Sequence, residues 1–305
     1  MDTEPSTKDP HQLLLDNYRQ IAQILFFKRS LIVDDTSGIS TKCRIAEVEF
    51  YQSPDPYLIQ DPQLTTAMRF YFVRKPLIKN DGSIIWKYRK SNFMQLYITC
   101  GIDARFNVDP NNYGQPLYMG VLITAIKTPT EYISGASEVV SYILRAANVK
   151  SVRKLFANKQ LITNNNNKDL LPMACENNNF VIRLEHAIYE ETVIYNGPRF
   201  GLNLKQETDV LNGRYLAFLM KEFRFVCFPN LIKRNKHLLV VNARINGIPD
   251  ETIIRDFKLR EGLLGRWITQ YLKGKTMYPS ILFLPENIEL LEINMQLKAF
   301  GRLTP

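Results

Sequence analysis

The period of the hydrophobic positions changes several times along this chain. Leu13, Leu14, Tyr18, Ile21, Leu25 and Phe26 recur near helical spacing and predict a helix from Leu13 to Leu31, behind a polar tail over residues 1–12. Lys42–Tyr51 alternates as a strand, which Ser53-Pro54-Asp55-Pro56 breaks. Phe70–Val73 and Ile84–Tyr88 flank Asn80-Asp81-Gly82, a hairpin signal. Phe93–Cys100 and Leu117–Ile126 predict two further strands across the turn-rich Asp109–Gly114. Ser137–Ala147 predicts a helix opening at Ser134-Gly135-Ala136-Ser137, with Glu138 in its first turn. Arg199–Asn203, Phe223–Phe228 and Leu238–Asn242 are expected as strands, and Ile248–Pro305 mixes two helical patterns with the short Ile281–Leu284 run. Asn164–Asn167 and Asn177–Asn179 are low-complexity loop segments with no assigned function.

Strands dominate the middle of the chain, and most connections are too short for crossover helices. An α+β domain with a largely antiparallel sheet follows. At 305 residues the chain makes one large domain or two small ones. Its 45% hydrophobic content suffices for a core and argues against wholesale disorder. No apolar run approaches the roughly 18 residues that span a bilayer, and the acidic, polar N-terminus lacks the features of a signal peptide. Cys43, Cys100, Cys175 and Cys227 are far apart, as are His11, His186 and His237. Reduced thiols in an intracellular protein are expected, and a metal site or His-centred triad is disfavoured.

Charge adds a partner to the picture. The net +9 is concentrated in two places. Arg69–Lys90 holds seven basic residues against Asp81, and Arg199–Lys236 holds eight against Glu207, Asp209 and Glu222. Phe70, Tyr71, Phe72, Trp86 and Tyr88 interleave the first, and Phe223, Phe225 and Phe228 the second. Basic and aromatic side chains together suit a nucleic acid. Alternating strands with a solvated charged face would give the same pattern.

Candidate chemistry concentrates on Arg44–Tyr51. Strand alternation puts Ala46, Val48 and Phe50 on one face, and Glu47, Glu49 and Tyr51 on the other. The two carboxylates then lie about 6–7 Å apart beside an aromatic ring. In a cleft, such a carboxylate serves as general base on water, and the ring stacks on a planar substrate. On a solvent-facing edge strand the same residues do nothing. In Ser91–Gly101, Gln95, Tyr97 and Thr99 share a face, so Tyr97 supplies a second ring opposite Tyr51, or an ordinary cross-strand aromatic.

In order and spacing these segments resemble the alkyladenine (3-methyladenine) DNA glycosylases of the mammalian type. The resemblance rests on Glu47-Val48-Glu49-Phe50-Tyr51, Tyr97-Ile98-Thr99-Cys100-Gly101, Asn107 and Val121-Leu122-Ile123-Thr124-Ala125. It continues through Ser134-Gly135-Ala136-Ser137, Arg199-Phe200-Gly201 and Lys221-Glu222-Phe223-Arg224-Phe225. It runs collinearly from about Leu13 to Val241. It implies a single mixed domain around a curved sheet over residues 13–245, with residues 246–305 as a C-terminal extension of unassigned role. It also implies a monofunctional base-excision repair enzyme that flips a modified purine out of double-stranded DNA and hydrolyses its N-glycosidic bond. Glu49 would activate the water and stabilise the oxocarbenium-like sugar, with Glu47 as the alternative if the register differs by two. Tyr51 and Tyr97 would sandwich the base, Asn107 would discriminate among purines, and Ser137 at a helix N-terminus would hold a phosphate. No metal or cofactor is implied, and DNA as target favours the nucleus.

The chain departs from the family pattern at several points. The pocket His falls at Ile59 or Gln60, the wedge Tyr at Cys100, the pocket-side Arg at Thr124, and Lys-Pro becomes Lys221-Glu222. These departures motivate the alternative, a nucleic-acid-binding module that kept the fold and lost turnover. An interaction protein unrelated to DNA is the third reading.

Overall fold

The computed structural model describes residues 9–58, 61, 64, 67–88, 94–100, 119–157, 182–200, 202 and 218–276. Asp9 opens the first helix, its carboxylate accepting from the His11 amide at 3.2 Å, with proline next in the chain. Helix α1 (Pro10–Gln23) widens into a π-helical turn at Ile24–Lys28, which buries the consecutive Leu25, Phe26 and Phe27. The chain then enters β1 (Arg29–Asp34) rather than staying helical to Leu31. Two antiparallel partners override the local pattern there, with Leu31 opposite both Cys43 and Leu184.

The elements that follow are β2 (Ser40–Gln52), β3 (Ala67–Phe72), β4 (Arg74–Ile78), β5 (Ile84–Tyr88), β6 (Leu96–Cys100), β7 (Met119–Lys127) and β8 (Tyr132–Ser134). After them come α2 (Ala136–Ala146), α3 (Val152–Ala157), β9 (Ile182–His186), β10 (Tyr195–Gly197) and β11 (Arg224–Val226). Three helices close the described chain: α4 (Lys236–Ile245), α5 (Asp250–Phe257) and α6 (Leu263–Lys275). The main sheet runs β10-β11-β2-β7-β6-β3, with β1 and β9 extending from β2 and β8 on β7. Among the described residues every strand pairing is antiparallel, so the fold is α+β, helices covering a long, curled antiparallel sheet.

Three expected elements change. The Asn80-Asp81-Gly82 turn joins β4 to β5, while Phe70–Phe72 pairs with β6 instead. Leu238–Asn242 is helical, because a short, wholly buried apolar run has no period that separates strand from helix. Arg199 and Phe200 lie outside any strand.

The bulge in β2 decides which side chains face where. Its register with β7 slips between Ile45 and Glu47 and again between Glu47 and Val48. Cys43 and Ile45 before the slip, and Val48 and Phe50 after it, all enter one core with α1, α2 and α3. Ile45 rather than Ala46 therefore joins that face. Tyr51 enters a second core with Tyr71, Tyr97, Leu122, Val226 and the helices α4–α6. The face expected to look into a cleft is a second packed layer. The first helix of that layer ends in a Schellman turn at Gly247, where φ is +80°.

Candidate functional site

One row of side chains crosses the second face of the sheet. Registers place Arg224 of β11 opposite Glu49 of β2, Glu49 opposite Leu122 of β7, Leu122 opposite Tyr97 of β6, and Tyr97 opposite Tyr71 of β3. Gly120 lies in the next row, opposite both Tyr51 and Thr99. A Cβ there would stand 2.9 Å from Tyr97 Cδ1, so the ring lies over a position where only glycine leaves room.

Glu49 is 1% exposed. Its Oε2 accepts from Tyr51 Oη at 2.9 Å and its Oε1 from the Phe200 amide at 2.7 Å. Burial is the main influence on the carboxyl and pushes it up to about 7. The Phe200 amide, Arg224 and Arg199 oppose that rise, and Glu47 adds to it. The same burial, with Glu49 beside it, holds the Tyr51 hydroxyl well above its ordinary range.

Glu47 has a different environment. Its Oε1 accepts from Arg224 Nε and from Thr124 Oγ1, both at 2.9 Å. Thr124 therefore supplies Glu47 with a neutral hydrogen bond. The cationic partner of Glu47 is Arg224, fully buried on the neighbouring strand. Arg199, also buried, lies 4.4 Å above the Tyr51 ring and donates to Asp55 and to the Phe50 and Phe218 carbonyls. Both guanidiniums are held above their ordinary range by the acids and tyrosines around them, although burial works the other way.

Glu49, Tyr51 and Tyr97 thus come together as the sequence suggested, in a closed arrangement. The Tyr51 and Tyr97 rings meet edge to face, centroids 5.7 Å apart at 70°. A base stacked between parallel rings needs about 7 Å, twice the van der Waals spacing, so one ring must turn aside to admit it. Ser137 sits in the first turn of α2, whose N-cap Gly135 donates to the Thr124 carbonyl at 2.8 Å. The start of that helix is therefore tied to β7 at Thr124, the residue whose hydroxyl donates to Glu47. Cys100 ends β6, and its side chain lies outside the described residues, as do Asn107, Ile59 and Gln60. His186 is exposed at the end of β9. The acids and cations that flank Glu49 were visible in sequence only as members of motifs. What gives them a role is the register, which no local pattern encodes.

Among the described residues no group of three or more His, Cys, Asp and Glu side chains is arranged to hold a metal ion. No helix there is long and apolar enough to cross a membrane. A groove of about 500 Å³ borders α6, along Gly262, Arg266, Trp267 and Gln270, rather than Glu49. No protein-family model matches the sequence, and no curated protein matches it.

Proposed function

We propose that the chain is a DNA N-glycosylase that hydrolyses the N-glycosidic bond of a flipped, alkylated or deaminated purine, with Glu49 as general base. The observation that carries this reading is a carboxyl poised near neutrality by burial, beside two tyrosine rings and two guanidiniums. Ionised, Glu49 takes a proton from water as the water attacks the anomeric carbon and the bond to the base breaks. The same charge stabilises the positive sugar formed on the way. Tyr97 turns from Tyr51 to let the base enter. Asn107 discriminates among purines, Cys100 fills the gap left in the duplex, and Ser137 holds a phosphate.

The experiment is single-turnover excision from duplexes carrying hypoxanthine, ethenoadenine or a methylated purine, read as alkali-cleavable abasic sites. Wild type cuts at least one lesion, at a rate rising with pH through about 7. Glu49→Gln is reduced by at least about a hundredfold, the scale of a lost general base. Equal cutting by the two proteins sinks the assignment. The closed ring pair favours a second reading, a duplex-binding module without turnover. It predicts salt-dependent binding by both proteins and excision by neither.

A further inference from the structure

The basic, polar face of α6 is separate from the Glu49 site, and nothing above uses it. Helices α5 and α6 are joined by Lys258–Gly262, a five-residue connection. The joint is a Schellman turn, in which Leu259 N donates to Ile254 O at 2.9 Å and Lys258 N to Arg255 O at 3.2 Å. Lys258 takes the left-handed conformation, φ +49°, where such turns usually place glycine. Ile253 and Phe257 of α5 and Leu264, Trp267 and Tyr271 of α6 are buried in one core with Leu238, Leu239 and Val241 of α4. His237 of α4 also meets Trp267 edge to face at 6.0 Å. Three helices sharing one core, the last two joined by a short connection, have the order of a helix-turn-helix unit.

The outer face of α6 has the chemistry of a reading helix. Arg266, Thr269, Gln270 and Lys273 recur at i, i+3, i+4 and i+7 and share one side, opposite the buried Leu264, Trp267 and Tyr271. Arg266, Thr269 and Lys273 are exposed, and Gln270 is half-buried. Gly262 and Gly265 leave the start of the helix slim. From Lys258 to Lys275 there are five cations (Lys258, Arg260, Arg266, Lys273, Lys275) against Glu261, a net +4. Two of the three acids of α5 are paired, and Glu251 is exposed. Asp250 pairs with Arg244 at 2.5 Å, and Asp256 accepts from Tyr195 Oη at 2.7 Å and Arg255 Nε at 2.8 Å. A membrane-surface helix would turn apolar side chains outward, whereas here Leu272 is the one large apolar side chain of α6 that is exposed.

We propose that α4–α6 is a duplex-DNA-binding helix-turn-helix that seats α6 in the major groove, with Arg266, Thr269 and Gln270 at base edges and Lys273 on phosphate. Arginine suits guanine, glutamine suits adenine, and the threonine methyl suits thymine. The N-terminal half of such a helix reads bases while its flanks meet the backbone. This site stands whether or not Glu49 is catalytic.

The test is binding of the full chain to an undamaged 30-base-pair duplex of mixed sequence, by fluorescence anisotropy from about 50 to 200 mM salt. Arg266→Ser/Lys273→Ser is expected to weaken binding at least tenfold. It should also lower the slope of log K against log salt by about 1, for the phosphate contact of Lys273. Lys150→Ser/Lys154→Ser, exposed before and on α3 and outside both basic segments, removes the same charge elsewhere and serves as control. Methylating guanine N7, in the major groove, should reduce wild-type binding, whereas netropsin, which fills the minor groove, should not. Both changed residues are exposed, so an unchanged melting temperature separates lost contact from lost fold. Equal binding by the α6 variant and wild type, equal loss in the Lys150/Lys154 control, displacement by netropsin, or no duplex binding at 50 mM salt would each overturn the assignment.

Discussion

Replacing Glu49 by glutamine isolates the energetic consequence of burying this carboxyl. Burial raises it from 4.5 to about 7 in the folded chain. At about 1.36 kcal/mol per pH unit, that separation amounts to about 3 kcal/mol. Between pH 4.5 and 7 the folded protein keeps the proton that the unfolded chain has released. Stability from this group is therefore full below pH 4.5, declines as pH rises, and is gone above 7. Glutamine keeps the shape, an oxygen for the Phe200 amide and an NH₂ for Tyr51 Oη, and it does not titrate. Urea unfolding of both proteins at intervals from pH 4.5 to 8 gives the difference between them, in which other titrating groups cancel. That difference is expected to move in favour of Glu49→Gln by up to about 3 kcal/mol across the range. Parallel curves, with a difference constant to about 0.5 kcal/mol, would refute the account of Glu49 as a carboxyl raised by burial.

The paired acid beside it behaves differently. Arg224→Met leaves Glu47 buried with Thr124 as its recorded partner and is expected to lose about 3–5 kcal/mol in equilibrium unfolding, most of which Glu47→Met/Arg224→Met restores. Losses that simply add in the double variant would show that the pair is not coupled. Gly120→Ala places a methyl 2.9 Å from the Tyr97 ring and 3.4 Å from Leu64 Cδ2. It is expected to lose about 1–3 kcal/mol and to alter the tyrosine near-ultraviolet circular dichroism, and an unchanged spectrum would contradict the packing described.

Periodicity located most of the sheet but not the faces it presents. Lys42–Tyr51 was legible because a long antiparallel strand with one polar side alternates cleanly, and Glu47, Glu49 and Tyr51 do share a side. That this side is buried was not legible. The helices that cover it, α4–α6, follow almost two hundred residues later, and their first one reads as a strand over Leu238–Asn242. The bulge at Ile45–Glu47 was equally hidden, since one residue's change of phase appears only when the partner strand is known. Arg199 and Arg224 carried motif positions, but their burial against Asp55 and Glu47 depends on contacts 144 and 177 residues apart in sequence.

The fold does not need a charge at position 49. Both oxygens of Glu49 accept hydrogen bonds that a glutamine amide would satisfy, one as acceptor and one as donor to a hydroxyl free to reorient. Ionising the buried carboxyl near neutral pH lowers the stability of the folded state, a cost that such a neutral replacement would not carry. The surroundings then work against that penalty without cancelling it. Arg224, Arg199 and the Phe200 amide pull the carboxyl down, while Glu47 pushes it back up although it is itself paired. Buried ion pairs are a weak source of stability, so this arrangement makes poor sense as reinforcement. It makes better sense as a setting that leaves one carboxyl half ionised near pH 7, where a proton acceptor is most effective. A packed sheet face with apolar residues in the same positions would hold the second core at least as well. What it would lack is the only group in this row able to take a proton from water.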